Sequence, residues 1–141
     1  MISASSISVE TQVLTSSNLS QPALALQVIQ LVDSYMLWVG VAEGSLDDVQ
    51  KSTLRGNLCK DWACAMPPIT AGTIGPATSL FRSTGSDIAL SMAQRLARRF
   101  KKQILLSVDI PSTYLAAGQG PGILLEAEKG IVKVLSGIEN K

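Results

Sequence analysis

The side chains that most often catalyse reactions or bind metals are sparse in this sequence. The chain has no histidine, so the usual general base and the commonest metal ligand are both absent. No Ser-x-x-Lys motif is available to activate a serine. The carboxylates are scattered, and the close groups Asp47-Asp48 and Glu126-x-Glu128 suit solvated positions with ordinary acidity. The sequence therefore predicts a protein that is not an enzyme and that holds no cofactor.

Cysteines and glycines offer no stronger site. Cys59 and Cys64 are five residues apart on a predicted strand, where they would point to opposite faces, so we expect free thiols. With no companion ligands they do not complete a zinc site. The glycine loops Gly72–Gly75 and Gly118–Gly122 lack the Lys-Ser or Lys-Thr pair of a P-loop, and are interpreted as turns.

The surface is short of charge. Charged residues make up 16% of the chain, against roughly a quarter in an average soluble domain. Residues 62–81 contain none, which suggests that a partner covers part of the surface.

A net charge of +1 gives no electrostatic case for nucleic acid. Polar residues interrupt the apolar run 24–42, so we expect no membrane span and a cytoplasmic or nuclear protein.

Alternation and turn residues predict most of the strands. Leu24–Val32 and Tyr35–Ala42 form a predicted antiparallel hairpin around the turn-forming pair Asp33-Ser34. The further predicted strands are Ser6–Leu14, Leu58–Met66, Ile69–Ile74, Gln103–Ile110 and the short Ile123–Glu126.

Helical spacing appears twice. Ile88, Met92, Leu96 and Phe100 recur at four-residue steps, after a predicted start near Thr84 or Ser86. A closing helix is predicted from Ala127 to Ile138, and Pro111–Gly122 is predicted to be a loop. This order indicates an α+β fold in one domain spanning 1–141, with a mostly antiparallel sheet of about six strands and two or three helices.

The predicted hairpin is apolar on both faces. Leu37, Val39 and Val41 alternate with Met36, Trp38 and Ala42, and strands of this kind need cover on both sides. A chain of this length has few helices for that purpose, so a partner is expected to supply the missing layer. For Trp38 and Trp62, core packing is favoured over a role as binding platforms.

Basic residues crowd the end of the first predicted helix: Arg95, Arg98, Arg99, Lys101 and Lys102. Positive charge there offsets the negative end of the helix dipole. The alternative hypothesis is that these residues steer an acidic partner surface during association. The sequence leaves both roles open.

Two stretches resemble the proteasome assembly chaperone 4 family. Leu31-Val32-Asp33-Ser34-Tyr35-Met36-Leu37-Trp38-Val39-Gly40 is similar to the family's hairpin, and Ala93-Gln94-Arg95-Leu96-Ala97-Arg98-Arg99, followed by Lys102-Gln103, to its passage from helix to strand. Weaker similarity covers Trp62–Met66 and Ile123–Glu126, whereas Glu43–Asn57 and Pro76–Ser83 look like insertions.

The resemblance implies a sheet that stacks on the sheet of a second proteasome assembly chaperone in a heterodimer. That heterodimer would hold a proteasome α-subunit while the 20S α-ring is assembled. Met36, Trp38 and the five basic residues 95, 98, 99, 101 and 102 are the expected partner-binding residues. The alternatives are a dimeric adaptor of the roadblock or longin kind, an enzyme with an unseen cofactor, and a homodimeric structural protein.

Overall fold

Strands dominate the first half of the chain and helices the second. The computed structural model describes residues 7–14, 21–42, 60–82, 87–116, 118 and 120–140. Its elements are β1 Ser8–Leu14, β2 Leu24–Leu31, β3 Ser34–Val41, β4 Asp61–Ala65, β5 Ala77–Arg82, α1 Ile88–Phe100, β6 Gln103–Asp109, α2 Ser112–Ala116 and α3 Gly120–Glu139.

All six strands belong to one sheet in the order β1-β2-β3-β6-β4-β5. Neighbouring strands are antiparallel except β3 and β6, which run parallel. The α+β fold class with about six mostly antiparallel strands is therefore confirmed. The parallel pair arises because β6 returns to β3 only after β4, β5 and α1, a connection long enough to cross over the sheet.

The predicted hairpin is present, with its turn one residue earlier than expected. Leu31 pairs with Ser34, so Val32 and Asp33 form the turn and Ser34 begins β3. Asp33 has a positive φ of 52°, a conformation that Asp tolerates better than most residues because its short side chain bonds locally. The Ser34 hydroxyl donates to the Val32 carbonyl at 3.2 Å, which supports the turn.

The core lies on one face of the sheet, under α1 and α3. Alternate strand residues such as Leu26, Leu37 and Leu106 pack there with Met92 of α1 and Ile131 of α3. Each of these side chains is at most 1% exposed. The helices therefore cover the face to which the even-numbered residues of β2 and the odd-numbered residues of β3 point.

Gly130 lets α3 approach the edge of the sheet. A Cβ atom at Gly130 would lie 2.6 Å from the Leu14 Cδ1 atom of β1, closer than side-chain atoms pack. A glycine inside a helix destabilises it by about 1 kcal/mol relative to alanine. The structure shows that an alanine here would displace the Leu14 side chain.

Three sequence predictions are wrong. Ile69–Ile74 is not a strand but a turn, in which the Thr73 N–H donates to the Thr70 carbonyl at 3.3 Å. Ile123–Glu126 lies inside α3, since helical spacing already begins at Ile123. Pro111–Gly122 is not a loop throughout: it contains α2 and the first residues of α3.

Several predictions lie partly or wholly outside the described residues. These are the helix start at Thr84 or Ser86, Cys59, the beginning of the Leu58–Met66 strand, and Glu43–Asn57. Pro76–Ser83, which looked like an insertion, contains the edge strand β5. Among the described helices, none combines the length and the apolar character needed to cross a membrane.

Candidate partner-binding surfaces

The face of the sheet opposite the helices is termed the open face, and two rows of side chains cross all six strands on it. Residues directly opposite one another in neighbouring strands share a face, so the strand registers define both rows. The first row is Thr11, Gln27, Trp38, Ser107, Trp62 and Phe81. The second row is Val9, Ile29, Met36, Leu105, Cys64 and Thr78.

The open face is apolar and incompletely covered. Val9 and Phe81 are 56% and 54% exposed, and Met36 and Leu105 are half-buried. Asp109 is the one charged side chain on this face among the described strand residues that the registers place there. An apolar surface of this continuity is typical of a protein-binding site.

Trp38 is buried, but it is not part of the core beneath the helices. It is 4% exposed and packs on the open face with Ala25, Val13 and Ala42. Its ring lies across Gly40, where a Cβ atom would overlap the Trp38 Cζ2 atom. The prediction of core packing is confirmed for Trp38, which is buried in this small cluster, and half-buried Trp62 shares the open face with it.

The five predicted basic residues are divided by the structure into different environments. Arg95 pairs with Glu128 of α3 at 2.6 Å, and Lys102 pairs with Glu139 at 2.8 Å. Arg98, Arg99 and Lys101 are exposed near the end of α1. Lys101 has a left-handed backbone conformation that ends α1 and redirects the chain, so Lys102 lies beyond the helix, beside Glu139.

Two further lysines join the basic surface, and sequence reasoning missed them. Lys129 and Lys133 of α3 line a groove of about 430 Å³ together with Arg95 and Arg99 of α1. Leu96 and Val132 also line this groove, whereas Glu128 adds one negative charge. The four-residue spacing of the two lysines was a usable signal, but only the packing of α3 beside α1 brings them to the arginines.

Lys102 takes part in a cluster that ties the end of α3 to the sheet. The Tyr35 hydroxyl donates to Glu139 Oε1 at 2.8 Å, and Lys102 Nζ lies 5.2 Å from the centre of the Tyr35 ring. Hydrogen bonds from Lys102 and Tyr35 lower the pKa of Glu139. The Glu139 carboxylate raises the pKa of Lys102, while burial and the same carboxylate raise the pKa of Tyr35.

The segment after β4 carries exposed apolar side chains. Ile69 is fully exposed at 102%, and Ile74 and Met66 are 72% and 44% exposed. The Met66 N–H donates to the Pro76 carbonyl at 2.9 Å, which closes the base of this loop. The sequence predicts a strand here, whereas the structure has a loop with exposed apolar side chains before β5.

A sequence model of a known family matches most of the strands of the open face and α1. The model describes proteasome assembly chaperone 4 and covers residues 23–110. The chain belongs to the proteasome assembly chaperone 4 family. It is therefore a proteasome assembly chaperone by family, and the resemblance seen in the two sequence stretches is confirmed.

The fold is also similar to a solved structure, a crystal structure of a chaperone complex for yeast 20S proteasome assembly. A chain of that complex is 16% identical, with a TM-score of 0.64 over 93% of this chain and 96% of the other. No curated protein sequence matches the chain.

The match to the proteasome assembly chaperone 4 family extends from β2 to β6 and includes α1. It thus covers five of the six strands of the open face and the basic end of α1, but neither β1 nor α3. The family is described as proteasome assembly chaperones, and proteins of that kind act through surfaces that bind other proteins. Among the described residues, no group of His, Cys, Asp or Glu side chains could hold a metal ion.

Proposed function

We propose that this proteasome assembly chaperone pairs with a second assembly chaperone through its open face, and that the heterodimer holds a proteasome α-subunit during assembly of the 20S α-ring. The observation that carries the proposal is the open face: two rows of mostly apolar side chains without a described helix over them. Exposed apolar surface of this kind is typical of a protein-binding site.

The dimensions of the open face suit a protein interface. With a strand spacing of about 4.8 Å and a rise of about 3.3 Å per residue, six strands of mostly seven or eight residues span about 24 Å by about 23 Å. The projected area is then about 550 Å², and protruding side chains add accessible surface. A standard interface buries about 800 Å² on each partner, which a stacked sheet with a modest rim would reach.

The helix layer remains available for the α-subunit. Arg98, Arg99 and Lys101 are exposed on α1, and Lys129 and Lys133 extend the positive surface along α3. Charge gathered in this way raises the rate of encounter with an acidic surface more than it raises affinity. Fast association with moderate affinity suits an assembly factor, which has to leave the finished ring.

A cytoplasmic and nuclear location is part of the same proposal. Cys64 is a free thiol, and free thiols are typical of reducing compartments. Fluorescent tagging of the full chain tests this location, and accumulation in a secretory compartment would contradict it.

The test of the proposed function is co-expression with a second proteasome assembly chaperone from the same source, followed by native mass spectrometry. A one-to-one heterodimer is expected, and it should bind one kind of isolated α-subunit in preference to the others. A chain that stays monomeric at high concentration beside a folded partner would contradict the pairing. A heterodimer that binds no α-subunit would contradict the holding step alone.

A further inference from the structure

The groove between α1 and α3 has an accessible lining that is mainly apolar, although basic residues surround it. Its volume is about 430 Å³, and half-buried Val132 and buried Leu96 form its floor. The rims carry four cations: Arg95, Arg99, Lys129 and Lys133. Long cationic side chains lay their aliphatic stems on apolar surface and keep their charged ends in water. The groove therefore combines an apolar floor with positive rims.

One ion pair joins the two helices and leaves the other cations of the groove without a counter-charge. Arg95 Nε lies 2.6 Å from Glu128 Oε1, so these two charges offset each other. Within the described part of the chain, no carboxylate forms an ion pair with Arg99, Lys129 or Lys133. The two lysines are one helical turn apart, and like charges at this spacing repel each other. An anionic group between the rims would relieve that repulsion.

A neighbouring groove shows that an acidic occupant suits the first one better. The two lysines also line a groove of about 450 Å³ between β1 and α3, where Glu10 and Glu126 balance their charge. The groove between α1 and α3 has four basic side chains and one acidic side chain, so it attracts an acidic segment. No aromatic side chain is among the described residues that line it, whereas proteins that bind single-stranded nucleic acid stack the bases on aromatic rings.

We infer that this groove receives an acidic segment of the α-subunit, with one apolar side chain inserted between the two helices and a carboxylate on either side of it. The apolar side chain packs on Val132, and the carboxylates pair with Arg99 on one rim and with the two lysines on the other. This inference rests on the proposed holding of an α-subunit and identifies which kind of segment is held. The apolar anchor slows dissociation, and the surrounding charges speed association.

Val132→Arg distinguishes docking in the groove from general attraction by positive charge. The arginine fills the groove and adds a positive charge to the same surface, so attraction alone predicts unchanged or tighter binding. Docking predicts that the affinity of the heterodimer for the α-subunit falls at least about tenfold, as loss of a central anchor does. Thr113→Arg, at an exposed position of α2, is the matched control and should bind like the wild-type chain. Wild-type affinity in the Val132→Arg variant would overturn the inference.

The wild-type chain gives a second measurement that needs no variant. The peptide Glu-Glu-Leu-Glu-Glu with blocked ends, at millimolar concentration and low salt, should shift the Val132 methyl signals in a ¹³C–¹H spectrum. The peptide Glu-Glu-Gly-Glu-Glu keeps the charge without the anchor and should shift them much less. Equal shifts with both peptides, or no shift with the leucine peptide, would refute the docking of an apolar anchor. A larger shift with oligothymidine than with the leucine peptide would assign the groove to nucleic acid instead.

Failure of the proposed function and failure of this inference give different results. A heterodimer that binds no α-subunit contradicts the holding step and the α-subunit as the source of the segment, and the peptide spectra still decide the chemistry of the groove. An α-subunit that binds equally to the wild-type and Val132→Arg heterodimers leaves the holding step intact and excludes the groove from it.

Discussion

Met36→Lys is expected to abolish pairing while leaving the chain folded. Met36 stands in the second row of the open face, directly opposite Ile29 and Leu105, and is half-buried in the free chain. Full burial of a methionine stabilises by about 1.5–3 kcal/mol, so roughly 1 kcal/mol remains to be gained on stacking. An unpaired ammonium in that place costs several kcal/mol more. We therefore expect a loss of at least about 3 kcal/mol, or about a hundredfold in Kd.

Leu125→Lys is the matched control, because Leu125 is 50% exposed on α3, away from the open face. Isothermal titration with the partner chaperone measures Kd, and thermal unfolding of each free variant measures folding. Leu125→Lys should unfold within about 0.5 kcal/mol of the wild-type chain, as surface substitutions usually do, and Met36→Lys should lose about 1 kcal/mol because part of the methionine burial already exists in the free chain. Wild-type affinity in a folded Met36→Lys chain would refute the assignment of the interface, and so would an equal loss in Leu125→Lys.

Three other predictions concern the basic end of α1, the end of α3 and the contact between Gly40 and Trp38. Combined Arg98→Glu and Arg99→Glu should slow association with the α-subunit at low salt, by about tenfold, and much less at high salt; stopped-flow measurement of an unchanged rate rejects steering. Glu139→Gln should lower the free energy of unfolding by about 0.5–1 kcal/mol at neutral pH. The folded-state pKa of Glu139 lies below its ordinary value. The stabilisation by Glu139 is therefore complete at a pH above that ordinary value and disappears as the pH falls through the lowered pKa. Urea titrations in which Glu139→Gln lowers the free energy of unfolding equally at pH 7 and pH 3 would contradict this. Gly40→Ala should destabilise the chain by about 1–3 kcal/mol through overpacking, since the new methyl would overlap the indole of Trp38; unchanged thermal unfolding with unchanged tryptophan fluorescence argues against that contact.

Local patterns predicted those elements whose signals lie within a few residues. The alternation in β2 and β3 and the four-residue spacing in α1 depend on neighbours along the chain, so strand and helix follow directly from them. The start of α3 was missed because Gly120, Pro121 and Gly122 resemble a loop. Pro121 is nevertheless tolerated in the first turn, where its missing N–H would have had no helical partner.

Sequence alone determined that both faces of the segment 24–42 are apolar, and from this it predicts that the strands need cover on both sides. Only the tertiary structure decided which face stays open, because that depends on where α1 and α3 pack. Register likewise placed Ser107 between Trp38 and Trp62, residues that are distant along the chain. Periodicity is a property of neighbouring residues, so the sequence reveals it. The face of a sheet and the register between strands depend on contacts between distant segments, and the candidate partner-binding surfaces depend on both.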